Sequence, residues 1–440
     1  MIALVVSRAD SASVHIGEHL RSLADWTESE DDSRPDARGG GTVYRTDGFC
    51  LREFDDLHLE LETVADAFSD PEYIVFASRH AGDTGPLLTA HFTGNFGPAE
   101  YGGVDGGLAR ACPNAHKAVI KALEEVAPAG YDVGMECTHH GPSAVGVPSM
   151  FVELGSGEEQ WEDPEGARAV AKAILALKGV PADSKRHLVG FGGGHYVPRP
   201  TRIVKETAWA VGHIAADWCL ADMGDPHEHR DVLAHAFEQS AAEFAVVDGE
   251  KPALRDAIDA LGYRVVSETW VQETSDVPLA AVSELEAALC PVDDGLRFGQ
   301  LETWPVAFET VSLPVALIQE AEGTDREAVR AAAEAHLLAF TTDEAGTRVG
   351  GRAAIPNEPA RDAFIDALVP ILREKYDEVV READAVVARV STFDPEKAAT
   401  LGIPEGPKFG KLASGQPVTI RGREIPPEEV RTYREQTFRL

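Results

Sequence analysis

Residues 113–142 read PNAHKAVIKALEEVAPAGYDVGMECTHHGP, and how they divide between helix and strand decides the fold. Pro113 suits the start of a helix, where its missing N–H has no partner to lose. The apolar spacing that follows predicts a helix over 113–129. VGMECTHH (133–140) then predicts a strand, and Gly141-Pro142 turns the chain. Side chains alternate faces along a strand, so His139 and His140 are expected to point opposite ways. Together with Glu136 they would stand at the rim of a sheet.

The same alternation extends outward. MIALVVS (1–7) predicts a buried strand and SASVHIGEHLRSLADW (11–26) a helix. Strands are predicted over 73–80, 87–94, 149–156, 187–194, 243–249 and 263–268, the first two joined by the turn AGDTGP. Helices are predicted over 164–178, 203–221, 228–242 and 251–262. Strands alternating with helices of this length predict an α/β domain over residues 1–268. Its sheet would be mixed, largely parallel and flanked by helices. TESEDDSRPDARGGGT (27–42) has no apolar period and is expected to be an exposed, mobile loop. Residues 269–440 predict a smaller α+β appendage. There, helical stretches over 325–340 and 359–386 flank a hairpin-like EAGTRVGGRAAI (344–355).

The 440 residues carry 74 acidic and 40 basic side chains, formally −34, with only 11 lysines. The acids are spread along the chain, unlike a disordered acidic tail. Such a surface fits a cytosol of multimolar salt, where the Debye length falls to about 3 Å. In dilute buffer this charge disfavours nucleic acid. At high salt the objection weakens, so an RNA partner stays open, while DNA and membranes are not expected. No apolar run is long enough to span a bilayer, and the start lacks the marks of a signal peptide; a cytoplasmic monomer is expected. Five cysteines, with no CxxC pair, argue against a disulfide framework or a Cys-rich zinc finger.

Four stretches could carry chemistry: SRHAGDTGPLLTAHFTGNFG with His80 and His91; MECTHHGP with Glu136, His139 and His140; GFGGGHYVPRPT with His195; and VGHIAADWCL with His213. Singly, each is an ordinary structural histidine. GFGGGH lacks the spacing of a dinucleotide fingerprint and is followed by no GK[ST]. HEH at 227–229 is a solvated loop without HExxH. Taken together, the parts suit hydrolysis. Neutral imidazole is a common metal ligand, and a catalytic zinc takes three protein ligands and leaves one position open. Gly192, Gly193 and Gly194 would let backbone amides approach a substrate. Ser143 or Ser149 as nucleophile is the weaker option, since no GxSxG elbow exists.

SRAD (7–10), ECTHHGP (136–142), FVELGSGEEQW (151–161), GFGGGHYVPR (190–199) and the later GH resemble, in content and order, the archaeal and plant type of D-aminoacyl-tRNA deacylase. The resemblance covers residues 1 to about 268. It implies a zinc-dependent enzyme that cleaves the ester between a D-amino acid and the tRNA 3′ end. It also implies a fold similar to peptidyl-tRNA hydrolase and the purine nucleoside phosphorylases. Carried over by motif, Glu136, His139, His140 and His195 would be catalytic. His80, His91, His139, His140, His195 and His213 would be the pool of metal ligands. Gly192 to Gly194 and Tyr196 would meet the substrate. The chain departs from the family in its length and in the acidic stretch at 27–42.

The segment LGIPEGPKFGKLASGQPVTIRGREIPPEEV (401–430) resembles a Gly/Pro stretch of tRNase Z, without that nuclease's HxHxDH. There Lys408, Lys411, Arg421 and Arg423 would help place tRNA. Two other readings compete with the deacylase. One is another tRNA-directed hydrolase, such as a metal-free peptidyl-tRNA hydrolase with an Asn/His/Asp set; the other is a non-catalytic tRNA-binding protein.

Overall fold

The computed structural model describes residues 1–301, 303–305 and 307–440. The chain forms two compact units, Met1–Ser275 and Asp276–Leu440. A helix at Glu268–Glu273 stays with the first unit. Its Trp270 is buried against Trp209, ring centroids 5.2 Å apart.

The first unit holds twelve strands among the described residues. Eight build one mixed sheet: β1 (Ile2–Ser7), β2 (Thr27–Asp31), β3 (Gly41–Thr46), β4 (Phe49–Phe54), β5 (Tyr73–Arg79), β6 (Leu87–His91), β7 (Asp132–Met135) and β8 (Ser149–Gly155). Their order is β2-β3-β4-β1-β5-β8-β6-β7. The β4, β1, β5, β8 run is parallel, β6 turns antiparallel to β8, and β7 runs parallel to β6. Four more strands form a separate, wholly parallel sheet: β9 (His187–Phe191), β10 (Ala210–Ala215), β11 (Phe244–Val247) and β12 (Arg264–Val266), in the order β10-β9-β11-β12.

The central strands are fully buried. β1 (IALVVS) and β8 (SMFVELG) show no exposed position, as expected for parallel strands covered on both faces. The flanking helices are α1 (Ser11–Leu23), α2 (Pro113–Val126), α3 (Glu158–Trp161) and α4 (Pro164–Leu175). They are followed by α5 (Pro198–Glu206), α6 (Asp217–Met223), α7 (Arg230–Gln239) and α8 (Pro252–Ala260). In α2, Ala115, Val119, Ile120 and Leu123 are buried while Lys121 and Glu124 are exposed, an amphipathic division.

Three sequence expectations for the first unit are corrected. Residues 27–42 are not a featureless loop: Thr27–Asp31 pairs antiparallel with Gly41–Arg45 at the edge of the sheet. Backbone pairing does not need an apolar face, and the exposed acidic side chains keep the edge hydrated. The helix over 203–221 divides into α5, β10 and α6. AVGHIA is buried at all six positions, and a short buried strand has no period to read. The strand at 133–140 stops at Met135. Beyond it the chain leaves the first sheet for the second, with Glu136 N donating to Ala90 O, Cys137 N to His195 O and Thr138 N to Ile214 O.

The second unit is α+β. A four-stranded antiparallel sheet (Leu296–Phe298, Ala339–Asp343, Arg348–Ile355 and Glu309–Ser312) packs with helices Val315–Glu322, Arg326–His336 and Glu358–Leu372. The helix expected to run to 386 ends at Leu372, and Glu378–Arg381 pairs with Ala385–Phe393. The β-branched Val379, Val380, Val386 and Val387 favour that hairpin. Residues 401–430 contain a short helix, Pro407–Ala413, and a hairpin, Val418–Ile420 with Arg423–Ile425. A small core of Ile403, Leu412, Val418, Ile425 and Val430 holds them together.

Candidate metal and catalytic site

The site is built where β5, β6, β7 and β8 end. His80 follows β5, His91 closes β6, Glu136 follows β7 and Glu153 lies within β8. Because β6 runs against β8, Thr89 is the cross-strand partner of Glu153, and His91 of Phe151. The departing segment adds His139 and His140, and the turn after β9 adds His195 and Tyr196. All but Tyr196 line a cavity of about 440 Å³ or, like His91, lie beside it.

His91, His139 and His140 share one arrangement. Each directs Nδ1 at a backbone carbonyl: His91 to Phe92 O (3.0 Å), His139 to Cys137 O (2.8 Å) and His140 to Gly141 O (2.8 Å). That contact fixes the Nδ1–H tautomer and leaves each Nε2 lone pair available. One ligand nitrogen from each lies within 4.8 Å of the others. His91 Nε2 is buried and makes no hydrogen bond, but Glu153 Oε1 lies 3.5 Å away; burial opposes a proton on the ring, and Glu153 outweighs it and raises its pKa. Phe151 forms an apolar wall, stacked 5.3 Å from the His91 ring and 4.9 Å edge-on to His140. Burial pushes His139 well below the ordinary imidazole range, helped by His140 and His91. Burial, with His91, lowers His140 to about 4. Both are therefore neutral, the form that binds metal. Their rings lie 4.5 Å apart at centroid, not on opposite faces as an extended strand requires.

The second group is a charged cluster. Glu136 accepts from His195 Nε2 (2.7 Å), from His80 Nδ1 (3.2 Å) and from the Thr89 hydroxyl. Glu153 stands 3.6 Å from His80 Nδ1 and 3.5 Å from His91 Nε2. Both carboxylates are buried. Burial works against their charge, but His195 and His80 outweigh it at Glu136 and hold it well below the usual carboxylate range. His80 and His91 do the same at Glu153. Burial likewise opposes a proton on His80, yet Glu136 and Glu153 prevail and raise it to about 11. Protonated His80 thus supplies the cation that two buried carboxylates need between them. The second set of possible metal donors, His80, Glu136 and Glu153, lies at that spot. A third, Cys137, His139 and His195, shares His139 with the first. Three imidazoles anchored through Nδ1, two of them held neutral, with their remaining nitrogens converging beside Glu153, fit a metal ion. The His-rich donors suit zinc.

The other expected residues are placed as follows. Tyr196 OH lies 3.1 Å from His80 Nε2. His213 is elsewhere, fully buried on β10, with Nε2 on Ala109 O (2.7 Å) and Nδ1 on Thr138 Oγ1 (3.0 Å); no ring nitrogen is left for a metal. Gly192 and Gly193 have positive φ, and a Cβ on Gly192 would lie 2.6 Å from Asp248 O, so this turn packs on the loop after β11. Gly194 faces open space. Ser143 Oγ is bound to Gly107 O and to the Val104 amide, and Ser149 is buried in β8. In the second unit, Lys408 Nζ reaches Thr419 O (3.3 Å), Arg423 pairs with Glu429, and Lys411 is exposed.

Sequence reasoning missed Glu153, Asp10 and His58. Glu153 had a signal: it is the one charged residue inside SMFVELG, and a buried charge needs partners. Asp10 caps α1 through Ser13 N (3.2 Å) and accepts from Arg79 N (3.0 Å). His58 Nδ1 lies 3.8 Å from it, and both line the cavity. Nothing local in ADS or LHL marks them.

Residues 67–266 match the sequence profile of the family D-aminoacyl-tRNA deacylase. Curated relatives named D-aminoacyl-tRNA deacylase are similar over the whole chain. Those of Haloarcula marismortui and Natronomonas pharaonis are each 55% identical, with all of both chains covered. That of Methanoregula boonei is 33% identical over all of this chain and 98% of its own. A solved crystal structure, described as a conserved protein of unknown function, is 31% identical. It covers 60% of this chain and 94% of that one, with a TM-score of 0.54.

Proposed function

The chain belongs to the D-aminoacyl-tRNA deacylase family, and from that premise we propose how its residues hydrolyse the D-aminoacyl ester of tRNA. The observation that carries the proposal is the trio His91, His139 and His140, each anchored through Nδ1 to a carbonyl, beside the buried pair Glu136 and Glu153. These residues would hold zinc. Held there, the ion would supply Lewis-acid chemistry at the ester carbonyl and the attacking water.

The remaining work falls to the protein's own groups. Glu136, fixed by three donors, stays ionised and orients His195, which is half-buried at the mouth of the cavity. With Nε2 held by Glu136, His195 would take a proton from the attacking water through Nδ1, whose weak contact with Cys137 Sγ (3.6 Å) it would give up. His80 donates Nε2–H to the Tyr196 hydroxyl, leaving the phenolic proton to be offered to the ester oxygen of the departing ribose. An aminoacyl ester is already activated, so positioning and modest proton transfer suffice. Exposed Lys411, Lys408 and Arg421 on the 401–430 segment would meet tRNA phosphates. The enzyme would work as a monomer in the cytoplasm, and no helix among the described residues is long and apolar enough to cross a membrane.

The test is deacylation of D-Tyr-tRNA and L-Tyr-tRNA in multimolar KCl, before and after chelation, with bound metal measured by mass spectrometry. Loss of the D-ester alone, abolished by chelation and restored by zinc, supports the proposal. Full activity in a metal-free sample would overturn the zinc assignment. Alanine at His139 or His140 should lower retained zinc more than about tenfold.

A further inference from the structure

In the first unit, the exposed large hydrophobic side chains among the described residues are Met1, Tyr101, Val104 and Trp218. The two aromatic ones border one place. A second cavity, about 120 Å³, opens beside the catalytic one, with Phe96, Tyr101, Trp218 and Asp222 around it and Thr138 and His139 at its inner side. Tyr101 and His139 line both cavities. Tyr101 is 63% exposed and Trp218 43%. Helix α6 turns Cys219 and Met223 inward and leaves the indole outside. The indole plane lies within 18° of the His195 ring, centroids 6.5 Å apart. Gly97 closes the wall: a Cβ there would lie 2.9 Å from the Asp222 carbonyl carbon.

Two part-exposed aromatic rings bordering one small cavity offer an apolar, π-faced seat beside the catalytic cavity. We propose that Trp218 and Tyr101 seat the base of the terminal adenosine of the aminoacyl-tRNA. The inference rests on the deacylase reading. The scissile ester is carried by the ribose of that nucleotide, so its base must lie within one sugar of the reacting carbonyl. The cavity that shares His139 with the catalytic one is in that position. Single-stranded nucleic acid is gripped chiefly by stacking on aromatic rings and by cationic side chains on phosphate. A chain of formal charge −34 working at high salt gains little from the second means. Stacking depends on neither charge nor ionic strength in that way. The carboxylates of Glu100 and Asp222 at the rim would accept from the adenine amino group.

The probe is adenosine 5′-monophosphate, its binding measured by equilibrium dialysis in multimolar KCl for the wild type, Trp218→Ala and Trp218→Phe. The same proteins are assayed on D-Tyr-tRNA. Trp218→Ala should weaken nucleotide binding and raise KM about tenfold. Its kcat should stay within about twofold, and Trp218→Phe should keep most of the affinity. Equal binding by wild type and Trp218→Ala, or no binding by either, overturns the proposal. So does a loss confined to kcat, which would mean that the indole only supports His195. A wild type that binds the nucleotide through Trp218 yet leaves D-Tyr-tRNA intact would keep the base seat and overturn the deacylase reading instead.

Discussion

Glu136 Oε2 lies 2.7 Å from His195 Nε2, a contact between the end of the first sheet and the turn that leaves the second. With His80 and Thr89 also donating to it, Glu136 is the most heavily partnered acid of the site. Glu136→Gln keeps the shape and removes the charge. Deacylation of D-Tyr-tRNA should fall by about 10²–10⁴-fold in kcat, while circular dichroism stays near wild type and Tm falls, since buried His80 loses a counter-charge. Single-turnover kinetics check the first and a thermal melt the second.

Glu153 is 3% exposed and faces His80 and His91. Removing one partner from a buried ionic cluster leaves the others uncompensated. Glu153→Ala should therefore cost about 3–5 kcal/mol of stability, and Glu153→Gln less. Guanidinium unfolding of the metal-free protein in high salt measures both. A loss under 1 kcal/mol for the alanine variant would show the cluster to be solvated.

Gly141 and Gly134 should differ. A Cβ on Gly141 would lie 2.3 Å from Gly103 N and 2.4 Å from the Gly102 carbonyl carbon. That backbone follows Tyr101, whose carbonyl accepts from Gly141 N. Gly141→Ala should push this loop off the cavity, costing about 1–3 kcal/mol and raising KM. A Cβ on Gly134 meets nothing within 4 Å, and Gly134→Ala should be near neutral in Tm and KM alike.

His213 gives a pH dependence of known sign. Burial lowers it from 6.5 to about 4, so the fold favours the neutral ring. Its contribution is complete above the unfolded value of about 6.5 and is lost as pH falls towards 4, about 3 kcal/mol in all. The advantage of wild type over His213→Gln should shrink by roughly that amount between pH 7 and pH 4. An advantage that stays constant over this range would mean that the ring takes up its proton alike in the folded and unfolded chain.

How far the sequence was legible depended on the kind of signal. The long helices and most central strands were readable from apolar spacing, as in α2 and β8. The histidine-bearing motifs, apart from that of His213, pointed to one cluster because Gly and Pro beside His are visible locally. What escaped was tertiary. His139 and His140 look like strand neighbours, yet the chain leaves the sheet after Met135 and folds both rings against His91. His213 stood in a motif like the rest, but two neighbours from distant segments, Ala109 and Thr138, occupy its nitrogens. The strand at 27–31 carries only polar side chains, so no pattern announced it, and the partner that makes it a strand lies ten residues on. Asp10 and His58 belong to the cavity through the packing of α1 against β5, which no local window contains.

The crossing at Glu136–Thr138 has a further consequence. Its three amides bond to Ala90 in one sheet and to His195 and Ile214 on the side of the other. The stitch that joins the two sheets is thus the same five-residue thread that carries Glu136, His139 and His140. Loosening the seam between the sheets, by heat or by dilution of salt, should draw these three residues apart. Turnover then becomes the earliest reporter of damage to the scaffold, and inactivation should precede any loss of secondary structure.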